Sequence, residues 1–131
     1  MTSSIVLDAS AVIAMLKEET GGDEVAKILN VSCMSIINFE EVASYFALKG
    51  WSRKQIGNLL GELPIEVVDV DLEQSWTVAM WRPITDRIAG IEIADRYCLA
   101  LGKHRGCEVW TADRVWKEVA ESIEVNVKWI R

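Results

Sequence analysis

Short apolar runs alternate along this chain with amphipathic stretches too long to be hairpin turns, and that alternation limits the possible folds more than any other feature. Ile5–Leu7, Val31–Met34, Ile65–Val70, Cys107–Trp110 and Ile123–Val127 read as strands. The intervening stretches read as helices. They cover Ala11–Lys17, a segment from Gly21-Gly22-Asp23 to about Leu29, Asn38–Lys49, Arg53–Glu62, Leu72–Trp81, Ile91–Lys103 and Asp113–Glu121. A strand reached only through a helix joins its predecessor in parallel. The expected fold is therefore a three-layer α/β domain with a central parallel sheet of about four to five strands. Ligands of such sheets sit outside the carboxyl ends of the strands, so the residues after the first and fourth strands are where a site is expected.

At 131 residues, with no Gly/Ser/Pro-rich linker and no repeat, the whole chain 1–131 reads as one domain. Its 14 basic and 20 acidic residues give a net charge of −6, which argues against a polycationic nucleic-acid coat. An enzyme that meets phosphate through bound cations remains open, because metal sites need carboxylates. Met-Thr-Ser-Ser leads directly into Ile5-Val6-Leu7-Asp8, without a basic or apolar leader, and no apolar run is long enough for a membrane helix. A cytoplasmic location without membrane association is expected. Cys33, Cys98 and Cys107 form no CxxC pair, and His104 is the single histidine, so no zinc constellation exists. The three thiols read as reduced core residues.

The acidic residues carry more information. Asp8 follows the first strand and Asp113 the fourth, although either could equally serve as a helix N-cap. Asp95 is harder to explain structurally. At helical spacing its neighbours are Ile91, Cys98, Leu99 and Gly102, which puts a carboxylate on an apolar face where it needs a cation or a metal. In Asn38-Phe39-Glu40-Glu41-Val42 both glutamates are candidates. Glu41 shares a partly apolar stripe with Ile37, Tyr45 and Leu48, while Glu40 leans towards Ser44 and Ala47. Carboxylates from four separate segments suit a hard divalent cation, since they would repel one another without one.

Four stretches, in order and over the whole chain, resemble the PIN domain of VapC-type toxins, the ribonuclease half of bacterial and archaeal toxin–antitoxin pairs. They are Ile5-Val6-Leu7-Asp8-Ala9-Ser10-Ala11, Asn38-Phe39-Glu40-Glu41-Val42, Asp95-Arg96-Tyr97-Cys98-Leu99-Ala100-Leu101 and Thr111-Ala112-Asp113-Arg114-Val115-Trp116. The resemblance selects Glu41 over Glu40. It implies a Mg²⁺- or Mn²⁺-dependent endoribonuclease that hydrolyses RNA phosphodiester bonds with metal-activated water. Asp8, Glu41, Asp95 and Asp113 would be its catalytic and metal-holding carboxylates, supported by Thr111 and Ser10. It also implies a PIN-like α/β/α fold, a cognate antitoxin that inhibits the enzyme, and either a homodimer or a toxin–antitoxin hetero-oligomer. The chain departs from the pattern at Glu92, where the family often has Ser. Glu92 is either a further carboxylate in the pocket or a solvated side chain.

A metal-free route through the 2′-hydroxyl usually relies on histidines, and His104 lies in a cationic helix end that the helix dipole already explains. Arg96 and Arg114 flank two of the aspartates and are candidate phosphate contacts, with solvated surface as the plain alternative. Lys49, Arg53 and Lys54 share that ambiguity. Six tryptophans suit core and interface anchoring better than base stacking, and Trp51 is the one expected to face a partner. Two rival readings remain. A catalytically silent PIN-like module that binds RNA or protein would have little use for a buried Asp95. A phosphoacceptor receiver domain would need paired acids after the first strand and a lysine after the last, and the chain has neither.

Overall fold

The computed structural model describes residues 3–131. Its sheet contains β1 (Ile5–Leu7), β2 (Ser32–Ser35), β3 (Glu66–Val68), β4 (Glu108–Thr111) and β5 (Val127–Trp129). The order is β3-β2-β1-β4-β5 and every pairing is parallel, in agreement with the fold class read from the alternation. The chain leaves β1 to one side for β2 and β3, then returns to the other side for β4 and β5. The order therefore reverses between β1 and β4, and a crevice opens there at their carboxyl ends.

Helices cover both faces, and the two-residue period of the strands explains how. Val6, Cys33 and Val109 point to one face, where they pack with Cys98, Leu99 and Leu101 of α6 (Ile93–Arg105) and Val119 of α7 (Lys117–Ser122). Trp81 and Ile84 of α5 (Leu72–Thr85) lean on the same cluster. Leu7, Met34 and Trp110 point the other way. They meet α1 (Ala9–Leu16), α2 (Gly22–Ala26), α3 (Ile36–Ala47) and α4 (Arg53–Gly61) through Val12, Val25, Val42, Phe46, Ile56 and Leu60. Each fully buried aliphatic side chain contributes about 1.5–3 kcal/mol relative to exposure. Gly102 lets α6 lie close on β4, since a Cβ there would collide with the Val109 side chain.

Several element boundaries differ from the sequence expectation; the helix expected over Asp113–Glu121, for example, is a 3-10 turn at Arg114–Trp116 followed by α7. The last strand is Val127–Trp129 and not Ile123–Val127. Glu124 adopts a left-handed turn (φ 56°) and the Val125 N–H bonds back to Ala120 O, so Ile123 and Val125 close the core beneath the strand. Helix α5 runs through Pro83 to Thr85, beyond the expected end at Trp81. Proline removes one N–H, and near a solvent-facing C-terminal turn that loss is tolerated. No described helix is long and apolar enough to cross a membrane.

Candidate active site

The crevice between β1 and β4 brings the four sequence-selected carboxylates to one place. Asp8, Glu41, Asp95 and Asp113 line a single open cavity of about 480 Å³, together with Ser10, Glu40 and Tyr45. No basic side chain lines it.

Asp8 ends β1 and precedes α1, yet its side chain makes no capping bond to that helix. Its carboxylate is 4% exposed, and Oδ2 accepts from Ser10 Oγ at 2.6 Å and from Thr111 Oγ1 at 2.9 Å. Backbone amides orient both hydroxyls. Ala112 N–H donates to Ser10 Oγ at 2.9 Å, and Asp113 N–H donates to Thr111 Oγ1 at 3.0 Å. With both hydroxyl protons committed to Oδ2, the second oxygen has only a long 3.5 Å contact from Asn38 Nδ2. Burial pushes the Asp8 carboxyl up from its ordinary range, and the two hydroxyls oppose that shift.

Glu41 projects from α3, half-buried, and accepts from Asn38 Nδ2 at 3.0 Å. Burial raises its carboxyl, Asn38 works against the rise, and the charge of Asp8 adds to it. Glu40 is instead exposed and accepts from Ser44 Oγ at 2.5 Å. Asp95 lies in the first turn of α6, where its Oδ2 accepts from the Glu92 N–H at 2.9 Å. Burial pushes it up to about 7, the Glu92 N–H opposes, and Asp8, Glu41 and Asp113 push further in the same direction. Asp113 both caps and lines the cavity. Its Oδ1 accepts from Val115 N–H at 3.0 Å, and its backbone carbonyl accepts from Trp129 Nε1 at 2.9 Å.

The donor set fits a hard, hydrated divalent cation. Asp8, Glu41, Asp95 and Asp113 all offer oxygen donors, burial disfavours the ionised forms of Asp8, Glu41 and Asp95, neighbouring carboxylates add to this at Glu41 and Asp95, and one Asp8 oxygen is nearly free. Among the described residues no three His, Cys, Asp or Glu side chains stand close enough to hold an ion by themselves. That spacing suits an ion that keeps several of its waters.

The other sequence candidates fall in different places. Glu92 is the N-cap of α6 and exposed; it does not line the cavity, although its charge adds to the rise at Glu41. Arg96, a candidate phosphate contact, is engaged within the fold as a clamp. Its guanidinium donates to Thr85 Oγ1 (3.0 Å), Asp86 Oδ1 (3.0 Å) and Ile91 O (3.2 Å), joining the end of α5 to the start of α6. Arg114 is exposed and forms no ion pair among the described residues. His104 Nε2 lies 2.6 Å from Thr77 Oγ1, far from the carboxylates in the fold. Trp51 is 40% exposed beside Phe46.

Sequence reasoning did not single out Asn38 as a site residue. It is fully buried, its Nδ2 reaches Glu41, Asp8 and Ala94 O, and its Oδ1 has no partner. The available signal was an amide one helical turn before the core residue Val42, a position otherwise reserved for apolar side chains.

A five-stranded parallel sheet between helical layers, with carboxylates gathered where its strand order reverses, defines an acidic-site α/β domain. The PIN domain model matches residues 5–122, and the chain belongs to the PIN domain family. No curated protein matches it. Its fold is similar to that of the DNA-bound VapBC structure from Salmonella typhimurium (17% identity, TM-score 0.75, all of both chains). It is also similar to a toxin–antitoxin complex from Klebsiella pneumoniae (15%, 0.74, 98% of each chain). FitAcB from Neisseria gonorrhoeae is a third fold relative (21%, 0.72, 96% of this chain and 97% of that one).

Proposed function

We propose that this chain is the toxin of a toxin–antitoxin pair and acts in the cytoplasm as a Mg²⁺- or Mn²⁺-dependent endoribonuclease. One observation carries the reading: four carboxylates from four segments share one cavity that no basic side chain lines. Groups so arranged remain ionised together only around a cation, and a cation in turn attracts phosphate. The fold relatives include protein complexes named as VapBC and as toxin–antitoxin, which supports an inhibitory antitoxin as partner and a homodimer or hetero-oligomer as assembly.

When bound, the ion supplies an activated water near neutral pH and neutralises charge on the phosphoryl oxygens. Asp8, Glu41, Asp95 and Asp113 would hold it. Ser10 and Thr111 fix the rotamer of Asp8 and leave one oxygen facing the cavity, and Asn38 does the same for Glu41. Pre-oriented ligands spare the site reorganisation when substrate arrives. The charged side chains that line the cavity are all carboxylates, so the approach of the substrate phosphate depends on the ion.

The test is incubation of the purified chain, free of any partner, with a mixed cellular RNA pool in Mn²⁺ or Mg²⁺, in EDTA, and as Asp95→Asn. Discrete cuts leaving 5′-phosphates, lost with EDTA and with the substitution, are expected. A folded, cation-loaded chain that cuts nothing would overturn the nuclease reading in favour of a binding module.

A further inference from the structure

A nuclease of net charge −6, whose cavity is lined by carboxylates, still has to grip a polyanion near that cavity. Several of its cations are already engaged elsewhere. Arg82 and Arg96 share Asp86, Arg105 is paired with Glu66, and Lys103 with Glu124.

Tyr45 stands out on the cavity wall. It is one helical turn beyond Glu41 on α3, and Lys49 follows in the turn just past the end of that helix at Ala47. Lys49 Nζ lies 4.9 Å from the Tyr45 ring centroid, and Lys17 Nζ, arriving from the end of α1, lies 5.3 Å from it. Two ammonium groups from different helices are thus held against one ring. They are not neutralised in equal number. Lys17 pairs with Glu19 at 3.1 Å, but Glu19 is shared with Arg131, and Lys49 has no carboxylate partner among the described residues. The phenol is held below its ordinary range, by Lys17 first and by Lys49 as well, against the opposing effect of burial.

We propose that Lys17 and Lys49, positioned by Tyr45 at the mouth of the carboxylate cavity, bind backbone phosphates of the RNA strand next to the one being cut. The inference rests on the nuclease reading above and adds to it the grip on substrate. The lysines touch the strand, and Tyr45 is a positioning residue that keeps both ammonium groups at the entrance.

The experiment measures anisotropy of a labelled single-stranded RNA, roughly twelve nucleotides long, against the intact chain in Ca²⁺ over a series of salt concentrations. The Lys17→Gln/Lys49→Gln variant is expected to bind about tenfold more weakly at low salt. Its slope of log affinity against log salt should be shallower by about 0.7 for each lysine removed. Tyr45→Ala should lose part of the affinity and Tyr45→Phe, which keeps the ring, should recover it. Lys103→Gln, at the opposite end of α6 from Asp95, should leave the slope unchanged. An unchanged slope in the double variant, or an equal loss in Lys103→Gln, overturns the subsite and leaves the nuclease reading intact. A parent chain that neither binds nor cuts RNA overturns both. Lys49→Gln alone alters an exposed side chain and keeps the slope measurable if the double variant unfolds.

Discussion

Thr111 and Asp8 are 103 residues apart in sequence, and Thr111 Oγ1 donates to Asp8 Oδ2 at 2.9 Å. The bond ties the end of β4 to the end of β1 across the point where the strand order reverses. It also leaves Asp8 with one oxygen satisfied and the other facing the cavity.

Thr111→Val keeps the shape of that side chain and removes the donor. Cation affinity or activity should fall by about 10–100-fold, the usual cost of losing an outer partner of a metal-holding group. Titrating Mn²⁺ into the variant and the parent by calorimetry checks this, and equal affinities would assign Thr111 no role at the site.

Asn38→Ala should destabilise the fold by about 1–3 kcal/mol, because it removes the buried donor of the Glu41 carboxylate and the side-chain donor of the Ala94 carbonyl. Urea unfolding in EDTA measures the loss. A midpoint equal to that of the parent would mean that water satisfies both groups.

The raised Asp95 carboxyl makes metal-free stability depend on pH. Its folded value of about 7 lies above the ordinary 3.8, so the native state binds the proton more tightly than the unfolded chain does. Stability is therefore unpenalised below about pH 3.8 and declines as pH rises to about 7. Asp95→Asn, which keeps an acceptor for the Glu92 N–H, should flatten that limb of the melting profile in EDTA. Added Mn²⁺ should raise the melting temperature of the parent more than that of the variant.

Glu66 acts in the opposite sense. Arg105 donates to its two oxygens at 2.8 and 3.1 Å and, with Ser3 assisting, holds its carboxyl down to about 2. This stabilises the fold above about pH 4.5 and is lost as pH falls towards about 2. The pair is partly solvated, so its contribution is at most about 1 kcal/mol. Arg105→Ala should lower stability above about pH 4.5 by at most about 1 kcal/mol, shift the acid unfolding midpoint upward and leave the slope of the neutral-pH limb unchanged.

Strand and helix order were legible because Val6/Leu7 and Val109/Trp110 are apolar on both sides, as strands covered on two faces must be. The end of the sheet was less legible. Ile123 and Val125 are as apolar as any strand, and only the turn at Glu124 diverts them into the core. At the site, Asp95 was identified by its apolar helical neighbours, whereas periodicity alone left Glu40 and Glu41 nearly equal. What separates them is Asn38, which reaches only Glu41. The partners of Arg96 were not legible, because adjacency to Asp95 in sequence says nothing about where a long side chain ends. Its partners Thr85 and Asp86 belong to the preceding helix.

The pocket carboxylates extend from Asp8 to Asp113, and the backbone carbonyl of the last is held by Trp129 of β5. No amino-terminal fragment ending before β4 contains the full set. During synthesis, therefore, the pocket stays incomplete until β4 has emerged from the ribosome. Parallel strands joined over such distances also assemble slowly. A nascent chain that reaches only β3 carries Asp8 and Glu41 without Asp95 and Asp113, half of the acidic set.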